Sequence, residues 1–263
     1  KNDFTHLKIH TQYSICEGAL RTSDLAKYCK EKKTKALGLC DSFNLCGALE
    51  FSDLLAKLKT QPIIGTQINI QYKNHLGKLP FFAKNLKGYK NLIKLSSKSY
   101  LEISEDQDPH CELKDIEKNF DGLILFTGSL DGFFGKLFSK NLIDDISTII
   151  KKIKNIYKNN LYIEIQRHGD PGEELFEKFL INLSEDFDIP LIATHEVFYL
   201  DKDMHEAHDA YLCIGEKTYV NSKDRKKYSN QHYLKSSEEM CDLFKDMPDA
   251  LENNKNFPLR ISF

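Results

Sequence analysis

Short apolar runs alternate with longer segments of helical periodicity along almost the whole chain. The runs Ala36–Cys40, Leu123–Phe126 and Pro190–Ala193 are typical of buried strands, and the spaced isoleucines of Asn141–Tyr157 predict an amphipathic helix. Parallel strands need a crossover connection between them, and that connection is usually a helix. The alternation therefore predicts an α/β fold with a parallel sheet. About seven such units in a chain of 263 residues favour a closed barrel over an open sheet.

The remaining elements follow from periodicity and from turn residues. A hairpin turn is expected around Asn74 and Gly77, and the lysine-rich segment Lys223–Lys227 is expected to be a loop. The other predicted strands are Thr5–His10, Pro62–Ile64 with an extended continuation over Gln67–Tyr72, Leu79–Ala83 and Leu161–Gln166; the other predicted helices are Thr22–Lys32, Gly47–Lys59, Gly88–Leu101, Glu173–Ser184, Met204–Ile214 and Glu238–Phe244.

Composition excludes several classes of protein. The 37 basic residues balance 39 acidic ones, so the chain has no overall field that attracts nucleic acid, and its many lysines are typical of a solvated surface. Seven cysteines without a CxxC pair indicate reduced thiols in a cytoplasmic protein. No apolar run is long enough to span a membrane and no signal peptide is recognisable. The first residue is not Met, so the chain is expected to be a processed product or a piece of a longer protein.

The opening segment Phe4–Gly18 carries the most unusual pattern. In a strand, the even-numbered residues from Phe4 to His10 share one face, which therefore holds two histidines and Lys8. This face is either the solvated side of an edge strand or part of a metal or phosphate site. A charged ammonium has no lone pair, so Lys8 argues against a metal. In a barrel, the polar residues to inspect lie where strands end, and these are His10, Asp41, Ser129, Gln166 and His195.

Eight blocks of the sequence resemble one family in their order and spacing. They are FTHLKIHTQYSICEG, CDSFNLCGALEF, PIIGTQINI, FFAKNLKGYKNL, GLILFTG, LYIEIQRHG, PLIATHEVFYL and HYLKSSEEM. Together they resemble the N-terminal PHP (polymerase and histidinol phosphatase) domain of the alpha subunit of bacterial DNA polymerase III, over Phe4 to about Leu251. The resemblance implies a distorted seven-stranded (β/α)7 barrel similar to a TIM barrel. It also implies a PHP domain over residues 1–251, followed at 252–263 by the start of a linker toward a palm region that this chain lacks.

Active members of this family hold two or three Zn, Mn or Fe ions at the barrel mouth. Among the matched positions, only His10, Glu17 and Glu196 keep side chains that bind cations well. The resemblance therefore implies that the metal cluster and the catalytic residues are lost, and we expect no cofactor in this chain. His168 is either a hydrogen-bonded loop histidine or part of the same pocket. The vestigial pocket is predicted from Lys8, His10, Glu17, Asp41, Ser42, Gln67, Lys78, Ser129, His168, Glu196 and Phe198.

Three functions follow from this comparison. The first is a catalytically silent scaffold in a replicative polymerase, whose DNA-directed DNA polymerase activity would use Mg²⁺ in the downstream palm. This scaffold would contact the rest of the alpha subunit, offer a docking surface to the proofreading exonuclease and meet DNA through the holoenzyme. The second is a metal-dependent phosphoesterase or 3′–5′ exonuclease. The third is a free-standing module that binds phosphate through Lys8 and Lys78.

The lysines at two histidine positions suggest a replacement for the metal. Lys8 and Lys78 could neutralise Glu17 and Glu196, which would leave an ion-pair network in the barrel mouth. The alternative is that both lysines extend to solvent and pair with nothing.

Overall fold

A computed structural model of the chain describes residues 3–14, 17–101, 103–216 and 227–262. The strands are β1 (Lys8–Ile9), β2 (Ala36–Ser42), β3 (Gln61–Tyr72), β4 (His75–Ala83), β5 (Cys111–Glu112), β6 (Leu123–Phe126), β7 (Leu161–Ile165), β8 (Leu191–Ala193) and β9 (Glu196–Val197). The helices are α1 (Thr22–Lys32), α2 (Ala48–Lys57), α3 (Leu86–Lys98), α4 (Leu113–Lys118), α5 (Phe133–Ser139), α6 (Ile143–Tyr157), α7 (Glu173–Phe187), α8 (His205–Glu216), α9 (Ser237–Leu243) and α10 (Pro248–Asn256).

The strands form one curled sheet in the order β8-β7-β6-β4-β3-β2-β1-β9, and β5 pairs only with β3. The two strands at the ends of this order are neighbours in the chain, because only Thr194 and His195 separate β8 from β9. β8 pairs with β7, while β9 pairs with β1. One bent segment therefore closes the ring, and counting it as a single strand gives the predicted distorted barrel of seven strands.

The sheet is mixed, whereas the alternation of strands and helices predicted a parallel one. β4 runs antiparallel to both of its neighbours, β3 and β6. The cause is the tight turn between Tyr72 and His75, which joins β3 to β4 directly, without a crossover helix. β3 itself is a single strand through Gly65, so the two extended pieces predicted there are one element. The other strand neighbours in the ring are parallel.

Most of the predicted helices are present, and α6 shows why. Ile146, Ile149, Ile150 and Ile153 are buried, while Lys151 and Lys152 on the other face are exposed. This stripe packs the helix on the outside of the sheet. The elements that the sequence analysis did not predict are β5, β9, α4, α5 and α10, all of them short. The predicted loop Lys223–Lys227 lies outside the described residues except for Lys227.

An apolar cluster, separate from the main hydrophobic core, fills the barrel interior at the end where the parallel strands begin. The rings of Phe82 and Phe126 meet there with their centroids 4.8 Å apart. Phe257, just after α10, packs against both rings at 5.6 and 5.3 Å. The predicted domain boundary between residues 251 and 252 thus lies inside α10, and the chain beyond it helps to close this end of the barrel.

Candidate functional site

The polar residues singled out from the sequence gather at the opposite end of the barrel, which we call the mouth. Seven of them line one open pocket of about 140 Å³. By the volume that a single water requires, this is room for several waters or a small ion. The seven are Glu17, Gln67, Lys78, Ser129, Gln166, His168 and Glu196, and Phe198, Asp170 and His232 line the same pocket.

Lys8 lies beneath this pocket and is completely buried. Its Nζ is 3.0 Å from Glu164 Oε2 on β7 and 2.5 Å from Glu196 Oε1 on β9. Burial alone lowers the pKa of a lysine, but these two carboxylates outweigh it and raise the pKa of Lys8 above its usual value. The side chain is therefore an ammonium ion enclosed by protein.

This arrangement decides between the alternatives left open for the first strand. β1 pairs with β2 on one side and β9 on the other, so it is not an edge strand. His6, Lys8 and His10 are all buried. The interpretation as a solvated face is therefore wrong, and so is the interpretation of Lys8 as a lysine that extends to solvent.

Glu196 connects the residues of this buried network. Its second carboxylate oxygen contacts His10 Nε2 in a short hydrogen bond, and Gln166 Nε2 donates to Oε1 at 3.2 Å. Burial by itself raises the pKa of Glu196, but Lys8 and His10 together hold it well below its usual range. Gln166 also donates to Glu164 Oε2 at 2.8 Å, which links the two carboxylates that face Lys8.

Lys78 and Glu17 form a second ion pair at the rim of the mouth. Lys78 Nζ lies 2.9 Å from Glu17 Oε2, and both side chains are only slightly exposed. Burial raises the pKa of Glu17, yet the Lys78 ammonium outweighs burial and lowers it to about 2. The two matched lysines thus pair with the two matched glutamates, as the network hypothesis predicted, and Glu164 is an additional partner.

Asp41 does not face the pocket but holds the loop that follows β1. It accepts hydrogen bonds from the Thr11 amide at 2.6 Å and the Thr11 hydroxyl at 2.7 Å. Ser14 Oγ donates to it at 2.7 Å and accepts the Ser42 amide at 2.9 Å. Burial raises the pKa of Asp41. Asp41 therefore fixes the loop beside the mouth, while the Ser42 hydroxyl lies 3.5 Å from Gln67 Nε2 of the mouth.

Gln67, Ser129 and Phe198 make the weakest polar contribution to the mouth. Gln67 Nε2 is 3.4 Å from His10 Nε2 and 3.5 Å from Ser42 Oγ. Phe198 packs its ring on His10, with the centroids 4.9 Å apart. A ring carbon offers no lone pair to a cation, so this contact closes one side of the site by packing alone.

The histidines behind the pocket form a stack. The rings of His168 and His232 lie 3.9 Å apart and 11° from parallel, and His195 stacks on His168 at 4.6 Å. Burial holds the pKa of both His168 and His195 well below the usual value, so these rings are neutral. His168 accepts the Glu196 amide on Nε2 at 3.2 Å, which leaves its proton on Nδ1, toward Glu173 at 3.3 Å.

The sequence analysis missed three residues of this site. Glu164 is the charged residue in the otherwise apolar strand LYIEI, and that contrast was a usable signal. Asp170 directly follows the block LYIEIQRHG and His232 begins the block HYLKSSEEM, but nothing in their spacing indicated a site. His232 Nε2 lies 3.1 Å from Asp170 Oδ2, and its Nδ1 lies 3.1 Å from the Glu196 carbonyl oxygen.

The residues at the matched ligand positions do not fit a metal cluster. Glu196 and Glu17 are each already paired with a lysine ammonium group, and both ammonium groups would repel a divalent cation. His168, Asp170 and His232 form a separate group whose ligand atoms lie within 4.8 Å of one another. Two parallel rings stacked face to face cannot both direct a lone pair at one ion. The ligand atoms of this group are therefore close enough for one metal ion, but their lone pairs do not converge on it.

Comparison with known families identifies the class of protein to which this closed barrel belongs. The chain belongs to the PHP domain family, whose family model matches residues 6–168. It is similar to DNA polymerase III subunit alpha of Caulobacter vibrioides, with 34% identity over 268 residues that cover 99% of this chain and 23% of that protein. The same subunit of Rickettsia prowazekii is 36% identical over 262 residues, which cover 99% and 22%. The chain thus spans less than a quarter of the length of these relatives.

A similarity to solved structures is weaker. A protein of Bifidobacterium adolescentis assigned to the metal-dependent phosphoesterases aligns with a TM-score of 0.49 and 10% identity, over 73% of this chain and 86% of that one. This similarity is too low to bear on the site. Within the part of the chain that the structure describes, no helix is long and apolar enough to cross a membrane.

Proposed function

We propose that this chain is the N-terminal PHP domain of a replicative DNA polymerase alpha subunit and acts there as a non-catalytic scaffold. Membership of the PHP family and the identity to DNA polymerase III alpha subunits support the assignment. The observation that carries the non-catalytic role is the Lys8 ammonium, 3.0 and 2.5 Å from two buried carboxylates. It stands at a position where the family resemblance implies a metal-binding histidine.

The chemistry of hydrolysis explains why this observation matters. A metal-dependent phosphoesterase uses a bound metal to lower the pKa of a water molecule and to neutralise the phosphoryl oxygens. In this chain the carboxylates that would hold such a metal are occupied by Lys8 and Lys78. An ammonium neutralises charge but has no open coordination position for water or phosphate. The mouth therefore keeps the charge balance of a metal site without its reactivity.

Hydrolysis assays test this role. The purified chain is incubated with single-stranded DNA, or with a phosphomonoester, in the presence of Mn²⁺ or Zn²⁺. We expect no turnover above that of the His10→Ala variant. Turnover by the wild-type chain that His10→Ala abolishes would overturn the proposal, whereas turnover that both proteins share indicates a contaminant.

The metal-dependent phosphoesterase is the second candidate, and the group of His168, Asp170 and His232 is the observation that favours it. The stacking of the two rings weighs against this candidate. The same assay on His232→Ala separates the two functions, because only a metal held by this group makes turnover depend on His232.

The partners follow from the proposed role. A PHP domain without nuclease chemistry leaves proofreading to a separate exonuclease subunit, and we propose that this domain offers that subunit a docking surface. The rest of the alpha subunit would follow residues 252–263, of which the end of α10 and Phe257 pack against the barrel and do not form a free linker, and DNA would be bound by the full holoenzyme in the cytoplasm. Size-exclusion chromatography of this chain mixed with the exonuclease subunit is expected to give a joint peak. Separate elution at micromolar concentrations would contradict the docking role.

A further inference from the structure

Cationic side chains gather at the end of the barrel opposite the mouth. In a parallel barrel, the loops that lead into the strands meet at one end, and β4 contributes there as well because it runs the other way and ends there. We call this surface the basic end. Its members are Lys32, Lys33 and Lys35 before β2, Lys57 and Lys59 before β3, Lys84 after β4, Lys118 before β6, Lys158 before β7, and Arg260 after α10.

Few carboxylates accompany these nine cations. The same segments contain Glu31, Glu117 and Asp121, and two of these are already ion-paired, Glu117 with Lys152 and Asp121 with Lys87. Asp186 and Asp188 precede β8, so the basic end stops after β7. The whole chain has a net charge of −2. The fold therefore separates charges that are balanced in the composition, and the local surface is strongly positive.

The lysines of the basic end are available, unlike those of the mouth. Lys33, Lys35, Lys57 and Lys59 are exposed, and none of them forms an ion pair with a residue that the structure describes. Lys8 and Lys78, in contrast, are each held by a carboxylate within hydrogen-bonding distance. The two groups of lysines thus have different roles, although the sequence does not distinguish them.

Stabilisation of helix ends accounts for only part of this charge. A cation in the last turn of a helix interacts favourably with the helix dipole, and Lys32 and Lys57 hold such positions in α1 and α2. Lys35 and Lys59 lie beyond the helices, one residue before β2 and two residues before β3. Lys33 and Lys59 also adopt left-handed backbone conformations, with φ of 52° and 60°, where glycine is usual.

We infer that the basic end binds the phosphate backbone of duplex nucleic acid. Lysine is a point charge without the planar fork that reads bases or chelates one phosphate, so a lysine surface favours backbone contacts without sequence preference. From β2 to β7 the surface crosses four strand spacings, or about 19 Å at about 4.8 Å each. Because these strands curve around a closed barrel, the direct distance is shorter than this path, but the exposed lysine side chains extend outward from it and can contact several phosphates.

This inference does not depend on the proposed function. The basic end lies across the barrel from the mouth and shares no residue with it. An acidic protein surface is the other occupant that the charges would suit, since Leu86 and Phe120 are exposed at the same end. The binding experiment below distinguishes the two occupants.

The test compares two variants of equal charge by fluorescence anisotropy with a labelled mixed-sequence duplex of about 30 base pairs. The first carries Lys33→Glu, Lys35→Glu, Lys57→Glu and Lys59→Glu in the basic end. The matched control carries Lys94→Glu, Lys151→Glu, Lys178→Glu and Lys202→Glu, four exposed lysines elsewhere on the described surface. Circular dichroism of both variants confirms that they are folded.

Salt dependence gives the expected result. If about four phosphates are neutralised, the wild-type affinity falls about 100-fold between about 50 and 200 mM KCl. The basic-end variant is expected to lose at least about tenfold in affinity at the lower salt concentration and most of the salt dependence, while the control loses less than about threefold. Absence of wild-type binding at low salt, as expected for a surface that suits only an acidic protein, would overturn the inference. Equal losses in the two variants would overturn it as well.

Discussion

Replacing Lys8 by Met is expected to destabilise the chain more than any surface substitution. Met preserves the length of the side chain but removes the charge that lies between Glu164 and Glu196. Both carboxylates are buried, and removing one partner of a buried pair costs about 3–5 kcal/mol because it leaves a charge without compensation. A domain of ordinary stability has about 5–15 kcal/mol in total, so the variant should lose a large share of it.

The compensating variant makes this prediction sharp. Adding Glu164→Gln and Glu196→Gln to Lys8→Met leaves no stranded charge, so the triple variant should recover much of the lost stability. Urea titrations followed by circular dichroism measure the free energy of unfolding of each protein. Lys94→Met, on the exposed side of α3, is the control and should stay within about 0.5 kcal/mol of wild type. A loss of less than about 1 kcal/mol for Lys8→Met would refute the network, and so would a triple variant that recovers nothing.

The pH dependence of the same variant supplies an independent check. In the wild-type protein, Lys8 and His10 outweigh burial and keep the pKa of Glu196 well below its usual range. The stability that this carboxylate contributes is therefore present above its unfolded pKa, about 4.3, and is lost only as the pH falls through the lower folded pKa. Without Lys8, burial raises the pKa of at least one carboxyl group. Lys8→Met should therefore become more stable as the pH is lowered from about 8 to about 5, and the wild type should not.

Three further substitutions test other parts of the structure. Glu17→Gln should lower the stability of the chain at pH 7, because Lys78 outweighs burial and lowers the pKa of Glu17 to about 2. The stability of the variant should converge with that of wild type as the pH falls from about 4.3 toward 2. Urea titrations across this pH range measure the difference, and a difference that stays constant would contradict the prediction. Arg167→Ala should lower the free energy of unfolding by at most about 2 kcal/mol, since the partly exposed guanidinium lies 2.7 Å from both Glu177 and Asp246. Arg167→Lys should recover only part of this stability, because one ammonium group cannot bridge both carboxylates. Gly88→Ala should lower the free energy of unfolding by about 1–3 kcal/mol, because the new Cβ would lie 1.8 Å from the Gly122 carbonyl oxygen. Thermal unfolding measures this loss, and Lys90→Ala on the same helix is the control.

The pattern of hydrophobic residues was sufficient to predict the strands and helices that are long enough to show a buried face. The strands β2, β6 and β8 are short apolar runs, and α6 has a full stripe of isoleucines, so periodicity located them within a few residues. β9 has only two residues and follows β8 after a two-residue bend. No periodicity can be read from so short an element. The number of units predicted a closed barrel, but the strand that closes it became visible only in three dimensions.

The site was predictable in its residues but not in its pairing. The family resemblance identified Lys8, Lys78, Glu17 and Glu196 as positions around one mouth, and the structure confirms that they lie together. Glu164 was missed because its role depends on the neighbouring strands β7 and β9 rather than on its own segment. The division of the lysines into buried ion pairs and an exposed basic end also depends on the topology of the barrel. The amino-acid composition gives only their total number, so it could not show this division.

The metal content of the purified chain tests whether the two lysines have replaced metal ions in the mouth. The chain is incubated with Zn²⁺, Mn²⁺ or Fe²⁺, dialysed against buffer without metal and examined by elemental analysis, with His232→Ala measured alongside. Because Lys8 and Lys78 pair with the carboxylates of the mouth, we expect well under one equivalent of each metal in both proteins. Two or more bound ions per wild-type chain would show that the mouth still holds a metal cluster.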